Sequence, residues 1–270
     1  MQMQPTPIAF SGNIPVNYDS YLGPMFFEPY ALDMADRISR FSPTSLLELA
    51  CGTGRLTKLL PAVTAKDANI MATDINPAMI NYAMRTVKSD KVKWLEVDAV
   101  TLPFHDETFD CVVAQFGVMF YSNRPKAFKE ALRVLKPGGV FIFNAWDEIE
   151  NNPMAKITND TLQHFFPVNT PAFYSVPFSY FDEKLITRDL REAGFNTFTI
   201  EKVHQTGYSK SASNAAKGLI NGTPTVTAIE DRDADQLPLL LEYLENQIAR
   251  QFSTDSLKVP LNAKVITCMK

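Results

Sequence analysis

The stretch Ser45-Leu46-Leu47-Glu48-Leu49-Ala50-Cys51-Gly52-Thr53-Gly54 decides the fold. An apolar run over 45–50 stops at a glycine-rich turn, and residues 55–60 then carry a helical pattern. Such a run reads as a buried strand feeding a helix. The same alternation repeats outward. Residues 69–73 form another apolar run, closed by Asp74, and 77–87 set Met79, Ile80, Ala83, Met84 and Val87 at helical spacing. Residues 92–97 read as a strand closed by Asp98, and 109–115 as a strand with a continuous apolar centre. A helix over 125–135 shows Phe128, Ala131, Leu132 and Leu135 on one face, and Lys136-Pro137-Gly138-Gly139 stops it before a strand over 140–145. Near-continuous apolar strands alternating with helices predict a parallel sheet covered on both faces. Right-handed crossovers make it a doubly wound α/β sandwich.

The flanks read differently. Residues 29–41 predict an amphipathic helix ahead of the sheet. Residues 151–181 are rich in proline and aromatic side chains, with a short helix over 154–165. A helix over 183–193 closes at Gly194, 197–204 alternate like a strand, 237–251 read as helix and 264–269 as a last strand. The late strands lack the parallel-crossover rhythm, so an antiparallel edge is expected. The whole of 1–270 reads as a single domain. Within it lie an N-terminal helical cover (1–41), a ligand-binding core (42–146), a lid-like insertion (151–181) and a C-terminal part of the sheet and its helices (182–270).

Composition narrows the function. The 270 residues are 46% hydrophobic and 21% charged, which is globular and neither disordered nor fibrous. Lys+Arg 26 against Asp+Glu 30 gives a formal charge of -4, without the basic excess that nucleic-acid binding requires. Cys51, Cys111 and Cys268 lie far apart, and their spacing suits neither a disulfide framework nor a zinc site. Buried free thiols fit a reducing, cytoplasmic compartment. No apolar run reaches the ~18 residues of a membrane span, and the amino terminus lacks the pattern of a secretory signal.

In an open α/β sheet the ligand binds beyond the carboxyl ends of the strands, at the switch point. Gly52 and Gly54 let the backbone approach a ligand closely. A dinucleotide fingerprint would place a third small residue at 57, where this chain has Thr57, and no P-loop lysine follows. Glu48 would repel a pyrophosphate and attract a cationic ligand. Asp74 stands where a carboxylate can accept both hydroxyls of a ribose, and it also suits the start of a helix at Pro77. Asp98 and Ala99 stand where an adenine amino group is read.

With these residues in place, Leu46-Leu47-Glu48-Leu49-Ala50-Cys51-Gly52-Thr53-Gly54, Ala72-Thr73-Asp74-Ile75-Asn76-Pro77, Asp98-Ala99 with Leu102-Pro103-Phe104 and Phe109-Asp110, and Leu135-Lys136-Pro137-Gly138-Gly139 resemble class I S-adenosylmethionine-dependent methyltransferases. The similarity is greatest to the ubiquinone/menaquinone biosynthesis group and covers about residues 15–146. The chain departs at Ala50, where many members have glycine. The resemblance implies a seven-stranded sheet with an antiparallel last hairpin, and S-adenosylmethionine as cofactor. It places Glu48, Ala50, Gly52, Thr53 and Gly54 under the methionine and ribose. Asp74 then falls at the ribose hydroxyls, Ile75 and Met79 beside the adenine, Asp98 and Ala99 at its edge, and Gln115 and Phe116 at the sulfonium end. A carboxylate-rich site without basic residues suits a cationic sulfonium.

The acceptor implied is a small molecule, aromatic or apolar, methylated to leave S-adenosylhomocysteine. Gln115-Phe116-Gly117-Val118 lacks the element of amino-methylating DNA enzymes, and the paired glutamates and metal-holding carboxylates of other groups are also missing. No catalytic base is assigned; His164, His204 and Tyr121 are the candidates, with His105 weaker. Tyr18 and Tyr21 are expected to close over bound cofactor, joined by the insertion at 151–181. Two other readings stay open: a non-catalytic S-adenosylmethionine-binding protein and a nicotinamide-dependent oxidoreductase.

Overall fold

Strand β1 (Ser45–Leu49) occupies the middle of a seven-stranded sheet with β2 (Asn69–Asp74), β3 (Val92–Glu96), β4 (Phe109–Gln115), β5 (Leu135–Trp146), β6 (Thr197–Ser211) and β7 (Asp255–Met269), in the order β3-β2-β1-β4-β5-β7-β6. This is the arrangement in a computed structural model that describes residues 10–270. The first part of the cover expected over 1–41, and most of the amino terminus read for a leader, fall on residues 1–9, outside the described residues. Strands β1 to β5 pair in parallel, whereas β7 runs antiparallel to both β5 and β6. The doubly wound sheet with an antiparallel hairpin at one edge is therefore the observed fold.

The apolar runs explain the layers. Alternate residues of each strand face opposite sides, so a strand buried on both faces is apolar throughout. Leu46, Cys111, Val113, Val140 and Ile142 pack against α2 (Glu28–Ser39) through Ala31, Met34 and Ile38. Leu47, Val112, Ala114, Phe141 and Phe143 pack on the other side against α5 (Arg124–Val134) through Phe128 and Ala131. That second layer continues into α6 (Pro153–Phe165), α7 (Glu183–Ala193), α8 (Ala212–Asn221), α9 (Thr225–Asp233) and α10 (Gln236–Gln251). Gly194 stops α7 in the left-handed region, at φ 103°, where a side chain is unfavourable.

Two expectations are corrected. Residues 52–59 form successive turns, and the regular helix after β1 is only α3, Leu60–Val63. Pro61 has no N–H to return to the Thr57 carbonyl, which the Leu60 N–H takes instead at 3.2 Å. The late strands are much longer than 197–204 and 264–269, because β6 and β7 keep pairing through Gly207↔Val259 and Thr206↔Pro260. Ahead of α2, α1 (Ile14–Asn17) runs into a π-helix over Tyr18–Phe27, which the sequence pattern does not disclose.

A buried ion pair fastens β7 to the end of β5: Lys264 Nζ lies 2.6 Å from Asp147 Oδ1, with side chains only 4% and 12% exposed. Removing one partner strands the other charge in the interior. Lys264→Met is expected to lower unfolding stability by about 3–5 kcal/mol, and adding Asp147→Asn to recover a substantial part of it. Urea titration of the two single variants and the double one measures both numbers.

Candidate functional site

Strands β1 and β4 are hydrogen-bonded neighbours whose chains leave the sheet in opposite directions, which makes their carboxyl ends the switch point. Beyond β1, Ala50 adopts φ 53° and Gly52 φ 56°, so the loop turns sharply and exposes its backbone. The Cys51 N–H donates to the Thr73 carbonyl at 2.9 Å, and the Gly52 N–H to Asp74 Oδ2 at 2.8 Å. Asp74 Oδ1 accepts the Asn76 N–H at 2.8 Å, while Asn76 caps α4 (Pro77–Thr86) by accepting from the Ala78 N–H. One carboxylate thus organises both loops.

Glu48 is 1% exposed and accepts a 2.6 Å hydrogen bond from the Thr57 hydroxyl. Among the described residues no cation pairs with Glu48 or with Asp74. Burial, opposed by the Thr57 hydroxyl and assisted by the nearby Asp74, pushes the Glu48 carboxyl up to about 8. Burial also raises Asp74, against the N–H groups of Asn76 and Gly52 that favour its charge. Two carboxyls with raised affinity for protons and no counter-cation make a site that favours a positively charged guest.

The β4 end is equally constrained. Phe116 takes φ 51° and donates its N–H to Asn144 Oδ1 at 2.7 Å. Its ring stacks on Trp146 at 3.8 Å. Gln115 donates through Nε2 to the Phe27 carbonyl at 2.8 Å, leaving Oε1 buried without a partner. The buried Tyr121 hydroxyl is likewise unpartnered. Burial, Asp74 and Asp98 raise its pKa far above the ordinary phenol.

Of the residues singled out from sequence, Tyr18, Glu48, Ala50, Gly52, Thr53 and Gln115 line one cavity, together with Phe27, Cys51, Arg55 and Leu56. Gly54 faces inward, toward Val87 and Ala83 of the α4 layer. Met79 and Ala99 are buried, Ile75 is half-exposed, and Asp98 is exposed with Oδ1 accepting from the Val100 N–H. None of the histidines lines the cavity, which corrects their candidacy as bases. His164 is exposed and stacks on Tyr243 of α10 at 4.9 Å; His204 is exposed on β6 and bonds the Asn262 side chain; His105 is exposed in the β3–β4 connection. Tyr21 packs against Gly218 of α8, so only Tyr18 of the two tyrosines faces the cavity.

The expectation of a site without basic residues is also corrected, because Arg55 is in its wall. Its place directly after Gly54 was the available signal. The guanidinium turns toward the N-terminal segment, reaching Asp19 at 2.8 Å and Glu28 at 2.7 Å.

Residues 47–143 match the methyltransferase domain family. The chain is 31% identical over 127 residues to the ubiquinone/menaquinone biosynthesis C-methyltransferase UbiE of Citrobacter koseri, covering 46% of this chain and 51% of that protein. It therefore spans about half the length of the curated relatives it matches. In fold it is similar to a Haemonchus contortus phosphoethanolamine N-methyltransferase 2 solved with phosphomonomethylethanolamine and S-adenosylhomocysteine (TM-score 0.57, 15% identity, covering 95% of this chain and 56% of that one). It is similar also to the cyclase SpnF (TM-score 0.56, 18% identity, 96% and 93%). The resemblance to class I S-adenosylmethionine-dependent methyltransferases is borne out in sequence and in fold.

Two outcomes test this geometry. A Cβ added at Gly117 would run into the Ala50 methyl. Gly117→Ala is expected to cost about 1–3 kcal/mol, and Ala50→Gly in the same chain to return most of it, measured by denaturant unfolding. Glu48, protonated more readily folded than unfolded, contributes stability that is complete below its unfolded pKa and is lost as pH rises through about 8. The unfolding free energy of the free protein is therefore expected to fall from about pH 5 to about pH 8, by up to about 1.4 kcal/mol per pH unit from this group, and to level off above that. Glu48→Gln should flatten that slope.

Proposed function

We propose that the chain is an S-adenosylmethionine-dependent methyltransferase acting on a small-molecule acceptor and leaving S-adenosylhomocysteine. The observation that carries this reading is the pair of buried carboxyls, Glu48 and Asp74, without counter-cations at the glycine loop of the switch point. The match of residues 47–143 to the methyltransferase domain family supports it. When bound, S-adenosylmethionine supplies a methyl group already activated by a sulfonium. The protein's own work is then to orient the nucleophile and exclude water. Glu48 holds the positive end of the cofactor, Asp74 its ribose hydroxyls, and Met79 and Ile75 flank the adenine, with Asp98 and Ala99 at its edge. Gln115 Oε1 and the Tyr121 hydroxyl, both buried and unpartnered, are the polar atoms left to meet ligand. Phe27, Phe116, Trp146 and Tyr18 wall the acceptor side, which favours an aromatic or apolar acceptor.

We take 1–270 as one functional unit, with 42–146 holding cofactor and 1–41 and 151–181 covering it. The three cysteines are free and buried, which supports a reducing, cytoplasmic setting. Among the described residues no helix is long and apolar enough to cross a membrane. The formal charge of -4 argues against nucleic acid as partner.

The nicotinamide reading fails on two observations. Thr57, at the third small-residue position, is engaged by Glu48, and the helix that should present its N-terminus to a pyrophosphate is reduced to Leu60–Val63. Calorimetry with S-adenosylhomocysteine and with a nicotinamide dinucleotide separates the two, since only the first is expected to bind. Asp74→Ala should weaken that binding more than tenfold, through lost charge-assisted hydrogen bonds. At pH 7 binding should release a proton as Glu48 ionises beside the ligand's ammonium, seen as a dependence of binding heat on buffer ionisation enthalpy. Unchanged affinity in Asp74→Ala would remove the ribose assignment.

A further inference from the structure

The cavity lined by Tyr18 and Phe27 has a volume of about 30 Å³. Pockets that bury a small organic ligand measure roughly 300–1,000 Å³. What fills the difference is a strap made of α1, the π-helix Tyr18–Phe27 and the start of α2. The strap is seated closely. The Met25 carbonyl lies against Gly207 of β6, and a Cβ at Gly218 of α8 would come within 2.6 Å of the Tyr21 Cβ. Pro24, which has no N–H to donate, sits inside a ten-residue π-helix, a geometry that is rare.

Polar ties from the strap to the core meet at Arg55. Its Nε donates to Asp19 Oδ1 at 2.8 Å, one terminal nitrogen to the Asp19 carbonyl, and the other to Glu28 Oε2 at 2.7 Å. Thr53 and Tyr82 add hydroxyl donors to Asp19 at 3.0 and 3.2 Å, and Lys58 reaches Glu28 at 3.1 Å. The Arg55 side chain is 16% exposed and Asp19 22%, so these ties are partly withdrawn from solvent. Gly23 leaves room for the guanidinium against the strap backbone. Arg55 is therefore at once a wall of the cavity and a charged tie that holds the strap, beside the Gln115 bond to the Phe27 carbonyl.

We propose that Arg55 is a positioning residue that latches the strap through Asp19 and Glu28, and that release of this latch admits ligand to the cavity. The inference rests, for the identity of the ligand, on the cofactor reading above; the latch itself does not. Hydrogen exchange on the protein without ligand tests it first. Asp19→Asn and Arg55→Gln are each expected to lower the protection of amides 18–27 about tenfold or more, leaving β4 and β5 as protected as in the parent. Arg55→Lys, which keeps the charge but not the fork, should fall between. Stopped-flow binding of S-adenosylhomocysteine, followed by fluorescence of Trp146 (packed on Phe26 at 5.7 Å), supplies the second readout. The observed rate should level off with ligand concentration at an opening rate, and Asp19→Asn should raise that plateau about tenfold.

Equal protection of 18–27 in the parent and in Asp19→Asn overturns the latch, as does a rate that stays linear in ligand. If Asp19→Asn loosens the whole sheet, Glu28→Gln decides: a plateau raised severalfold supports the latch and an unchanged one overturns it. Absence of any S-adenosylhomocysteine binding refutes the cofactor reading and leaves the exchange result to judge the latch.

Discussion

The site depends on how β1 and β4 part at the middle of the sheet. Each strand leaves through a left-handed residue that is not glycine, Ala50 at φ 53° and Phe116 at φ 51°. Such a conformation costs about 1–2 kcal/mol per residue, so it persists only where neighbours enforce it. The Cys51 N–H is fixed by the Thr73 carbonyl, and the Phe116 N–H by Asn144 from the adjacent strand. The Phe116 ring is fixed again by stacking on Trp146. The two turns meet where Gly117 lies against Ala50, and there is no space for a side chain between them. From this junction follow the opening of the glycine loop, the direction of Gln115 and the depth at which Glu48 is buried.

Charge is arranged around that junction with a definite sense. Glu48 and Asp74 sit at the strand ends under the loop, paired with hydroxyl and backbone N–H donors and not with cations. The Arg55 guanidinium in the cavity wall pairs with two carboxylates of the N-terminal segment and with neither Glu48 nor Asp74. Had Arg55 neutralised Glu48, the cavity would carry no net preference for a cation. As it stands, desolvation keeps a carboxyl near its titration point at neutral pH, ready to ionise beside a positive guest. A pyrophosphate meets the opposite situation, an unpaired acid and no extended helix N-terminus.

The parallel core was legible because its strands are buried on both faces and so read as unbroken apolar runs; β4 and α7 lie where the pattern sets them. The positions of Asp74 and the glycine loop at strand ends were legible for a local reason, since each directly follows an apolar run. The rest lies in tertiary pairing. In β6 and β7 a two-residue period is interrupted by Glu201-Lys202, Gly207 and Pro260, and only the partner strand keeps them extended. Helix α8 was passed over although its buried residues Ala212, Ala215, Ala216, Leu219 and Ile220 recur at helical spacing, and it is the seat for Tyr21. The histidines misled because their chemistry is local, whereas their distance from the cavity is a property of the whole chain. Arg55 was hidden for the converse reason: its partners Asp19 and Glu28 are 36 and 27 positions away in sequence.

The division between shared and particular parts of the chain bears on what the reaction can be. Residues 47–143, which match the methyltransferase domain family, contain the glycine loop, Asp74, Asp98 and the β4 end. The residues that close the cavity from above, Tyr18 and Phe27, lie before that stretch, while Trp146 and the seats at Gly207 and Gly218 lie after it. Chains of this fold include both an N-methyltransferase and a cyclase, so the sheet and its loops do not by themselves select a reaction. Selection falls to the walls. Here Tyr18 stacks on Phe27 and Phe116 on Trp146, and Gln115 and Tyr121 carry buried polar atoms without partners. Under the proposed cofactor reading, a wall formed by segments on both sides of residues 47–143, and tied to them by Arg55, would couple acceptor fit to the position of the N-terminal strap.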